Sequence, residues 1–421
     1  MNIVSKNIFN FLIKKKIKYV FGYSGGAILP ILNELNNSNK LKFIKNSTEQ
    51  CSGFVAEGYT KSINKIKPGI IISTSGPGVT NIITPLQDAY NDGVPLIAIT
   101  GQVPTNAIGT DAFQECNAIE LTKACTKWNK IIDKDDNIEN ILDLAYNIAM
   151  SDRKGPVHID IPKDIMNMNL TKNILKNNIL IDKIDLFCNL NLKKYLYNIL
   201  SKLSQSKKPI IIAGQGCNHL KNELNEFINK NKIPITTTLH SVGCYSENND
   251  LSMGWLGMHG NPAANIAVQE SDLIIAIGTR FDDRITGNMN KYALNAINGQ
   301  GIIHIDSSSS QIKKVMKLFK KYHKNIDFYT GLKIDSKKIL KELNLNNINS
   351  TDNVWLDRIK ELKNKYNYNY NECKLQLKGP DVIKSLDKYL TKYNMKNNTF
   401  ITTGVGNHQM WTAQHIKWRY P

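Results

Sequence analysis

The stretch STEQCSGFVAEGY at residues 47–59 puts a carboxylate, Glu49, into the first turn of a segment with helical spacing, just after the apolar run LKFI at 41–44. Ser47 and Gln50 have the S-x-x-Q spacing in which side chains satisfy the first free N–H groups of a helix. An acid at such a start gains roughly 0.3–1 kcal/mol from the helix dipole, which by itself would explain the residue. Its place at the mouth of a strand-to-helix unit also suits ligand chemistry, because open parallel sheets bind ligands at the carboxyl ends of their strands. Three further loops have that place: GYSGGA (22–27), TSGPGVTN (74–81) and TGQVPTNAIGTDAFQE (100–115). Their glycines permit close approach of a ligand or of another backbone. None is a phosphate loop of the G-K-[ST] type.

A second set of candidates lies downstream. GTRFDDRITG (278–287) follows an apolar run, IIHID ends in Asp306, and AGQGC (213–217) supplies glycines at another strand end. An acid after a strand suits ribose hydroxyls, although AGQGC is not a complete G-x-G-x-x-G fingerprint. The chain has 54 basic residues, of which five are Arg (153, 280, 284, 358 and 419) and 49 are Lys. Where Lys has nearly displaced Arg, each remaining Arg is a candidate for work that needs a planar, forked donor. The formal charge of +18 is spread over Lys- and Asn-rich faces without an aromatic-interleaved patch, which argues against a nucleic-acid partner.

These loops need elements to hold them. Residues 18–22, 41–44, 69–73, 95–99 and 157–161 read as buried parallel strands alternating with helices, a doubly wound α/β domain over 1–165. A polar connector follows. The pattern restarts at 209–213, 234–238, 273–277 and 302–305, giving a second α/β domain over 190–345. Residues 346–378 read as a linker with helical content. A third unit begins at 379 with a helix (381–393), a strand (399–402), the loop TGVGNHQ and a helix start, and is incomplete within 379–421. No apolar run is long enough for a membrane span. The N-terminus lacks the pattern of a signal or transit peptide, so the expected location is the cytoplasm or an organelle matrix, a plastid included. Seven scattered cysteines without C-x-x-C argue against a disulfide framework or a zinc site.

FGYSGGA, TEQ with AEGY, TSGPGVTN, PLIAITGQVP, IGTDAFQE, GPVHIDIPKD, GMHG, GTRFDDRITG and GVGNHQMW, in this order along the chain, resemble the catalytic subunits of acetolactate synthases, thiamine-diphosphate (ThDP) enzymes. The resemblance implies that Glu49 hydrogen-bonds the cofactor's aminopyrimidine and helps move the proton that activates it. For a carboxyl to share that proton its pKa must rise, which burial achieves more strongly than the dipole opposes. Thr48 and Cys51 replace the family's usual His or Asn and Gly, and Ser24 replaces Pro.

Gln114 matches a glutamine facing the substrate, and Lys163 a lysine near the way in. Each has a plainer reading as a surface group. Phe113 and Pro104 line the channel or serve packing alone. Gly25 and Gly26 are implied to contact ThDP, as are Asn407 and His408 near the diphosphate. The resemblance further implies a structural FAD held by Arg153, Gly214, Gln215, Gly216, Thr238, Leu239, His240, Gly257, Met258, His259, Gly278, Arg280, Asp282, Arg284 and Asp306. The plainer reading of the arginines is ion pairing with Asp282 and Asp283.

The implied reaction joins two pyruvates, or pyruvate and 2-ketobutyrate, with loss of CO2 in branched-chain amino-acid biosynthesis. The implied assembly is a homodimer with a shared active site, open to a regulatory small subunit. A related ThDP carboligase or decarboxylase, or a non-catalytic FAD-binding remnant, are the alternatives. No residue matches the family's Mg²⁺ motif. The sequence therefore predicts a fragment, folded over roughly residues 1–345, weak for ThDP and inactive in acetolactate formation.

Overall fold

The computed structural model describes residues 3–169, 188–346, 351–368 and 376–419, in two compact units, Met1–Ile184 and Asp185–Pro421. Most of the connector expected after residue 165 lies outside the described residues.

The first unit holds six parallel strands: β1 (Tyr19–Gly22), β2 (Lys42–Lys45), β3 (Gly69–Ser73), β4 (Leu96–Gln102), β5 (Trp128–Ile131) and β6 (Val157–Pro162), in the order β2-β1-β3-β4-β6-β5. β3, β4 and β6 are buried along their whole length because both faces are covered, and β3 is a nearly continuous isoleucine run. Ile70, Ile72, Ile97 and Ile99 face the helices Val4–Lys14 and Ile138–Met150. Ile71, Leu96 and Ala98 face the helices Glu49–Ser62 and Pro77–Asp92. The connections diverge between β1 and β3, so the loops after these two strands border the crevice where such sheets take ligands.

The second unit repeats the architecture with β7 (Pro209–Ala213), β8 (Ile235–Thr237), β9 (Ser252–Trp255), β10 (Leu273–Ile277), β11 (Gly301–Asp306) and β12 (Tyr329–Lys333), all parallel, in the order β12-β11-β10-β7-β8-β9. Counted from β7, that is the 3-2-1-4-5-6 order of dinucleotide-binding sheets, with its switch point between β7 and β10. The α/β class follows the sequence reading, with six strands per sheet where five and four were expected. The additional strands β5, β9 and β12 lack a strongly apolar run: β5 is only half-buried and SMGW and YTGLK carry glycine. β2 is an edge strand with exposed ends, displaced by one residue from the buried run expected at 41–44.

Three expectations change near the C-terminus. Within the expected linker, the helix Asn353–Lys365 buries Trp355, Ile359 and Leu362 in the core, and Trp355 Nε1 donates to Pro209 O at 3.0 Å. Ordered structure therefore continues past residue 345. Residues 399–402 form no strand: no neighbouring strand among the described residues supplies a ladder, and Phe400 is 87% exposed. The helices Gly379–Lys392 and Asn407–His415 belong to the second unit. There Glu247 and Trp418 exchange two hydrogen bonds of 3.1 Å, and Gln414 Nε2 donates to His259 O at 2.9 Å. Among the described residues no helix is long and apolar enough to cross a membrane.

Candidate functional site

Glu49 is the first residue of the helix Glu49–Ser62. The cap is Thr48, whose Oγ1 accepts from Cys51 N at 3.1 Å, so the expected Ser47–Gln50 capping box is displaced by one residue. Extended backbone at Thr48 lets its short hydroxyl reach the third N–H, which leaves the Glu49 side chain outside the cap. Asn81, in the helix that follows TSGPG, donates from Nδ2 to Glu49 Oε2 at 2.9 Å. Among the described residues no partner takes Oε1. Glu49 is half-buried, so this unit alone does not supply the full burial expected from the sequence. The carboxyl remains open to a ligand, fixed through one oxygen and offering the other.

The 103–116 loop lies beside it. Gly76 and Gln114 both adopt left-handed backbone, φ +59° and +60°. They pack so closely that a Cβ on Gly76 would stand 2.8 Å from Gln114 O and 3.0 Å from its Cα. TSGPG is thus a seat for Gln114, whose side chain is exposed. Phe113 beside it is 89% exposed. Gly25 meets Thr74 across the β1–β3 crevice, where a Cβ would lie 2.3 Å from Thr74 Cβ, whereas Gly26 faces open space. Lys163 is exposed at the start of the short helix Lys163–Met166, and Pro104 precedes a turn at Thr105–Ala107.

Beneath the loop lies a buried polar network that the sequence reading did not assign. Thr100 Oγ1 is 2.6 Å from Asp160 Oδ1 and 2.7 Å from His158 Nε2, and His158 Nδ1 is 2.9 Å from Thr122 Oγ1. Gln102 Nε2 donates at 2.9 Å to both Asp160 Oδ2 and Cys116 O. Burial pushes the Asp160 carboxyl up to about 7 and His158 down to about 3. A signal was available: in AITGQ and VHIDI, polar residues alternate along two neighbouring strands, and alternate residues share one sheet face. Asn81 was within a quoted motif but had no assigned partner.

The second unit gathers its candidates at the carboxyl ends of β7, β8, β10 and β11. Gly214 N donates to Ile277 O at 2.8 Å and Gly216 N to Gly278 O at 3.3 Å. A Cβ on Gly214 would lie 2.1 Å from Gly278 O, so these two turns require glycine to meet. Thr238 N donates to Ala213 O at 2.9 Å and Asn218 Nδ2 to His240 O at 2.9 Å, bringing the Thr238–Leu239–His240 turn against Gln215 and its neighbours.

Met258 N donates to Arg284 O at 2.7 Å, with Gly257 packed against the same carbonyl and His259 exposed. Arg280–Asp282 and Arg284–Asp283 are ion pairs of 3.7 and 4.0 Å, so the plain pairing does occur, but both are long, the first half-buried and the second solvent-exposed. Asp282 also caps the helix Asp283–Thr286, and Asp306 Oδ1 accepts from Ser308 N at 2.7 Å. The Thr237 and Thr279 hydroxyls are buried and have no partner among the described residues. Buried hydroxyls beside a glycine crevice fit a ligand that supplies the missing bonds.

Arg153 belongs to the first unit, where its guanidinium donates to Asn91 O at the end of the helix Pro77–Asp92. Asn407 and His408 open the helix Asn407–His415 and are exposed. Among the described residues no group of three or more His, Cys, Asp or Glu is placed to hold a metal ion.

Comparison with known proteins gives two family matches. Residues 3–121 match the thiamine pyrophosphate enzyme N-terminal TPP binding domain, and residues 196–325 match the thiamine pyrophosphate enzyme central domain. The chain is 38% identical to the mitochondrial acetolactate synthase catalytic subunit of Saccharomyces cerevisiae over 98% of its own length and 61% of the yeast protein's. It is 34% identical to a probable acetolactate synthase large subunit of Methanococcus aeolicus, over 97% of its own length and 68% of that protein's. It is 35% identical to the Lactococcus lactis large subunit, over 96% and 67%. The chain thus spans about three fifths of the yeast relative (61%) and about two thirds of the archaeal and bacterial ones (68% and 67%).

Proposed function

Because the chain belongs to the acetolactate synthase family, we propose that it acts in that reaction: joining two pyruvates, or pyruvate and 2-ketobutyrate, with loss of CO2 to a 2-aceto-2-hydroxyacid, in branched-chain amino-acid biosynthesis. The observation that carries the reading is the Asn81–Glu49 bond, 2.9 Å long, which fixes one carboxyl oxygen at a helix start and leaves the other for a ligand.

ThDP fits the first unit, where the half-buried Glu49 carboxylate is tied to Asn81 in the helix that follows β3. When bound, it supplies the carbon nucleophile that adds to the ketoacid carbonyl. Glu49 Oε1 holds and returns a proton at the aminopyrimidine ring nitrogen, a task for which a positioned carboxyl contributes roughly 10²–10⁴-fold. Asn81 restricts the carboxyl to one rotamer. The Gln114 amide, seated on Gly76, binds the carbonyl or carboxylate of the ketoacid. Lys163 adds a positive charge that favours the anionic substrate. Gly25 lets the loop after β1 pack on Thr74, and Gly26 leaves open space beside it for the cofactor.

FAD fits the β7–β10 switch point, where the Gly214–Gly216 and Gly278 turns meet at the strand ends and the Thr237 and Thr279 hydroxyls have no partner among the described residues. Arg280, Asp282, Arg284, Asp306 and the Thr238–His240 and Gly257–His259 turns would hold its polar groups, in a structural role. We assign no residue to Mg²⁺, since the described residues contain no fitting ligand set. Asn407 and His408 are assigned to the diphosphate, and Arg153 to the flavin, by family resemblance alone. A homodimer, a regulatory small subunit and an organelle or cytoplasmic location complete the proposal.

The test is acetolactate formation from pyruvate with ThDP, Mg²⁺ and FAD, first by the wild-type chain, where turnover would overturn the inactive fragment expected from the sequence, and then by Glu49→Gln in comparison. The amide should lose at least about 2 kcal/mol of transition-state stabilisation, roughly 30-fold, with the fold intact by circular dichroism. Near-normal turnover in the variant would sink the assignment.

A further inference from the structure

The 103–116 loop is held at both ends and in its middle by side-chain hydrogen bonds. At its start, Asp164 accepts from Thr105 N at 3.0 Å and Thr105 Oγ1 at 2.6 Å. In the middle, Glu115 accepts from Gly109 N at 2.5 Å and Ala112 N at 3.1 Å, which keeps its carboxyl below the usual range. At its end, the buried Gln102 uses its whole amide: Oε1 accepts from Val103 N at 2.9 Å, while Nε2 spans Cys116 O and Asp160 Oδ2. Cys116 Sγ also lies 3.8 Å from Gly76 O, tying the loop to the turn on which Gln114 sits.

We propose that Gln102 and Asp160 are positioning residues for the ketoacid site: by fixing Cys116 they seat Gln114 on Gly76 and hold its amide in place for the substrate. The inference rests on the reading of Gln114 as a ketoacid-binding residue. Gln102 can serve because Asp160 orients it. With Oε1 on Val103 N and one Nε2 hydrogen on Cys116 O, the second Nε2 hydrogen would be buried without an acceptor, and Asp160 Oδ2 supplies it. Asp160 is in turn held by Thr100, and Thr100 by His158, so the clamp stands on the sheet.

The network satisfies itself in either protonation state. With Asp160 neutral, its hydroxyl donates to Thr100, Thr100 to His158 Nε2, and His158 Nδ1–H to Thr122. With Asp160 ionised, Thr100 donates to Asp160, His158 Nε2–H to Thr100, and Thr122 turns its one O–H from Ala118 O to Nδ1. Gln102 Nε2 donates to Oδ2 in both, so the loop anchor persists through the titration. An asparagine at 160 reproduces the neutral pattern, with Oδ1 accepting from Gln102 and Nδ2 donating to Thr100. A leucine at 102 removes the anchor.

The experiment is hydrogen exchange of the full chain, read at the bonded amides of Thr105, Gly109, Ala112 and Glu115, with steady-state kinetics on pyruvate. Gln102→Leu should exchange these amides at least about 10-fold faster than wild type, leave the β4 and β6 amides protected, and raise KM for pyruvate more than it lowers kcat. Asp160→Asn should keep loop protection and KM near wild type. Should Gln102→Leu not fold, Thr105→Val, which removes the hydroxyl bond to Asp164 and leaves the backbone one, should still speed exchange at Thr105 and Gly109. Wild-type loop protection in a folded Gln102→Leu, or loss of it in Asp160→Asn equal to that in Gln102→Leu, overturns the clamp. The KM effect of Gln102→Leu should vanish on a Gln114→Ala background, because the clamp acts through Gln114. A Gln114→Ala variant with normal KM instead overturns the substrate role beneath the proposal, whatever the exchange shows.

Discussion

Asn81 and Glu49 are 32 residues apart in sequence and 2.9 Å apart in space, and their bond ties the start of one helix to the start of the next. Neither residue belongs to the hydrophobic core, and the bond lies at the surface of the unit. Its contribution to folding is therefore small, and its effect should appear in the orientation of Glu49.

Asn81→Ala should lower kcat for acetolactate formation by roughly 3–10-fold, the scale of one hydrogen bond of about 0.5–1.5 kcal/mol. The thermal midpoint should move by no more than a degree or two. On a Glu49→Gln background the Asn81 change should cost almost nothing more, because the two residues act as a unit. Additive losses would show that Asn81 acts elsewhere.

The orphaned hydroxyl of Thr279 gives a separate handle on the second unit. Thr279→Val removes a buried polar group without a partner, so the ligand-free protein should be as stable as wild type or more so. If the hydroxyl bonds FAD, the same change should shrink the rise in melting temperature produced by added flavin, since a ligand stabilises by mass action. An unchanged flavin-dependent shift would remove Thr279 from the site. No flavin-dependent shift in wild type would remove FAD itself.

Trp355 tests the helix that sequence reading took for a linker. Its ring is buried and its Nε1 donates to the first residue of β7. Trp355→Ala should cost about 3–5 kcal/mol by cavity formation, read as a lower denaturant midpoint. A loss below about 1 kcal/mol would return the segment to linker status.

How much of this was legible follows from where the physics is local. The central strands announced themselves because a parallel sheet covered on both faces needs unbroken runs such as GIIIS and LIIAI. Edge strands such as WNKI and SMGW obey no such demand, so they passed as loops. The helix around Trp355 has apolar residues at positions 355, 359 and 362, a sparse stripe hidden among Lys and Asn.

The place of Glu49 at a helix start and of the glycines at strand-end turns was legible from motif and spacing. The groups that hold them were less so. Asn81, Gln102 and Asp160 reach their partners across 32, 14 and 58–60 residues of sequence. Only register fixes which polar residues meet: Thr100 stands opposite Asp160 because β4 and β6 are neighbours. The cap at Thr48 instead of Ser47 is the opposite case, a local choice between adjacent hydroxyls that the motif could not decide.

The last prediction follows from the buried carboxyl. Burial raises Asp160 from its ordinary value of 3.8 to about 7, despite hydrogen bonds from Thr100 and Gln102 that favour the ionised form. In the unfolded chain Asp160 ionises near pH 4, while in the folded chain it holds its proton to about pH 7. Between those values the native state binds the extra proton, so its contribution to stability is full below pH 4 and declines as pH rises through 7. His158 has the opposite sign: burial lowers it to about 3, so the stability tied to its neutral form is full above pH 6.5 and lost as pH falls toward 3. Asp160→Asn removes the first dependence and keeps the second. Relative to wild type, the variant should therefore gain stability from pH 4 to pH 7, by at least about 1 kcal/mol and at most roughly 4 kcal/mol, and the difference should be flat above pH 8. Urea midpoints of both proteins at pH 5, 6, 7 and 8 provide the measurement. Parallel curves across that range would mean that Asp160 is ionised in the folded chain throughout and that the neutral hydrogen-bond pattern is not populated.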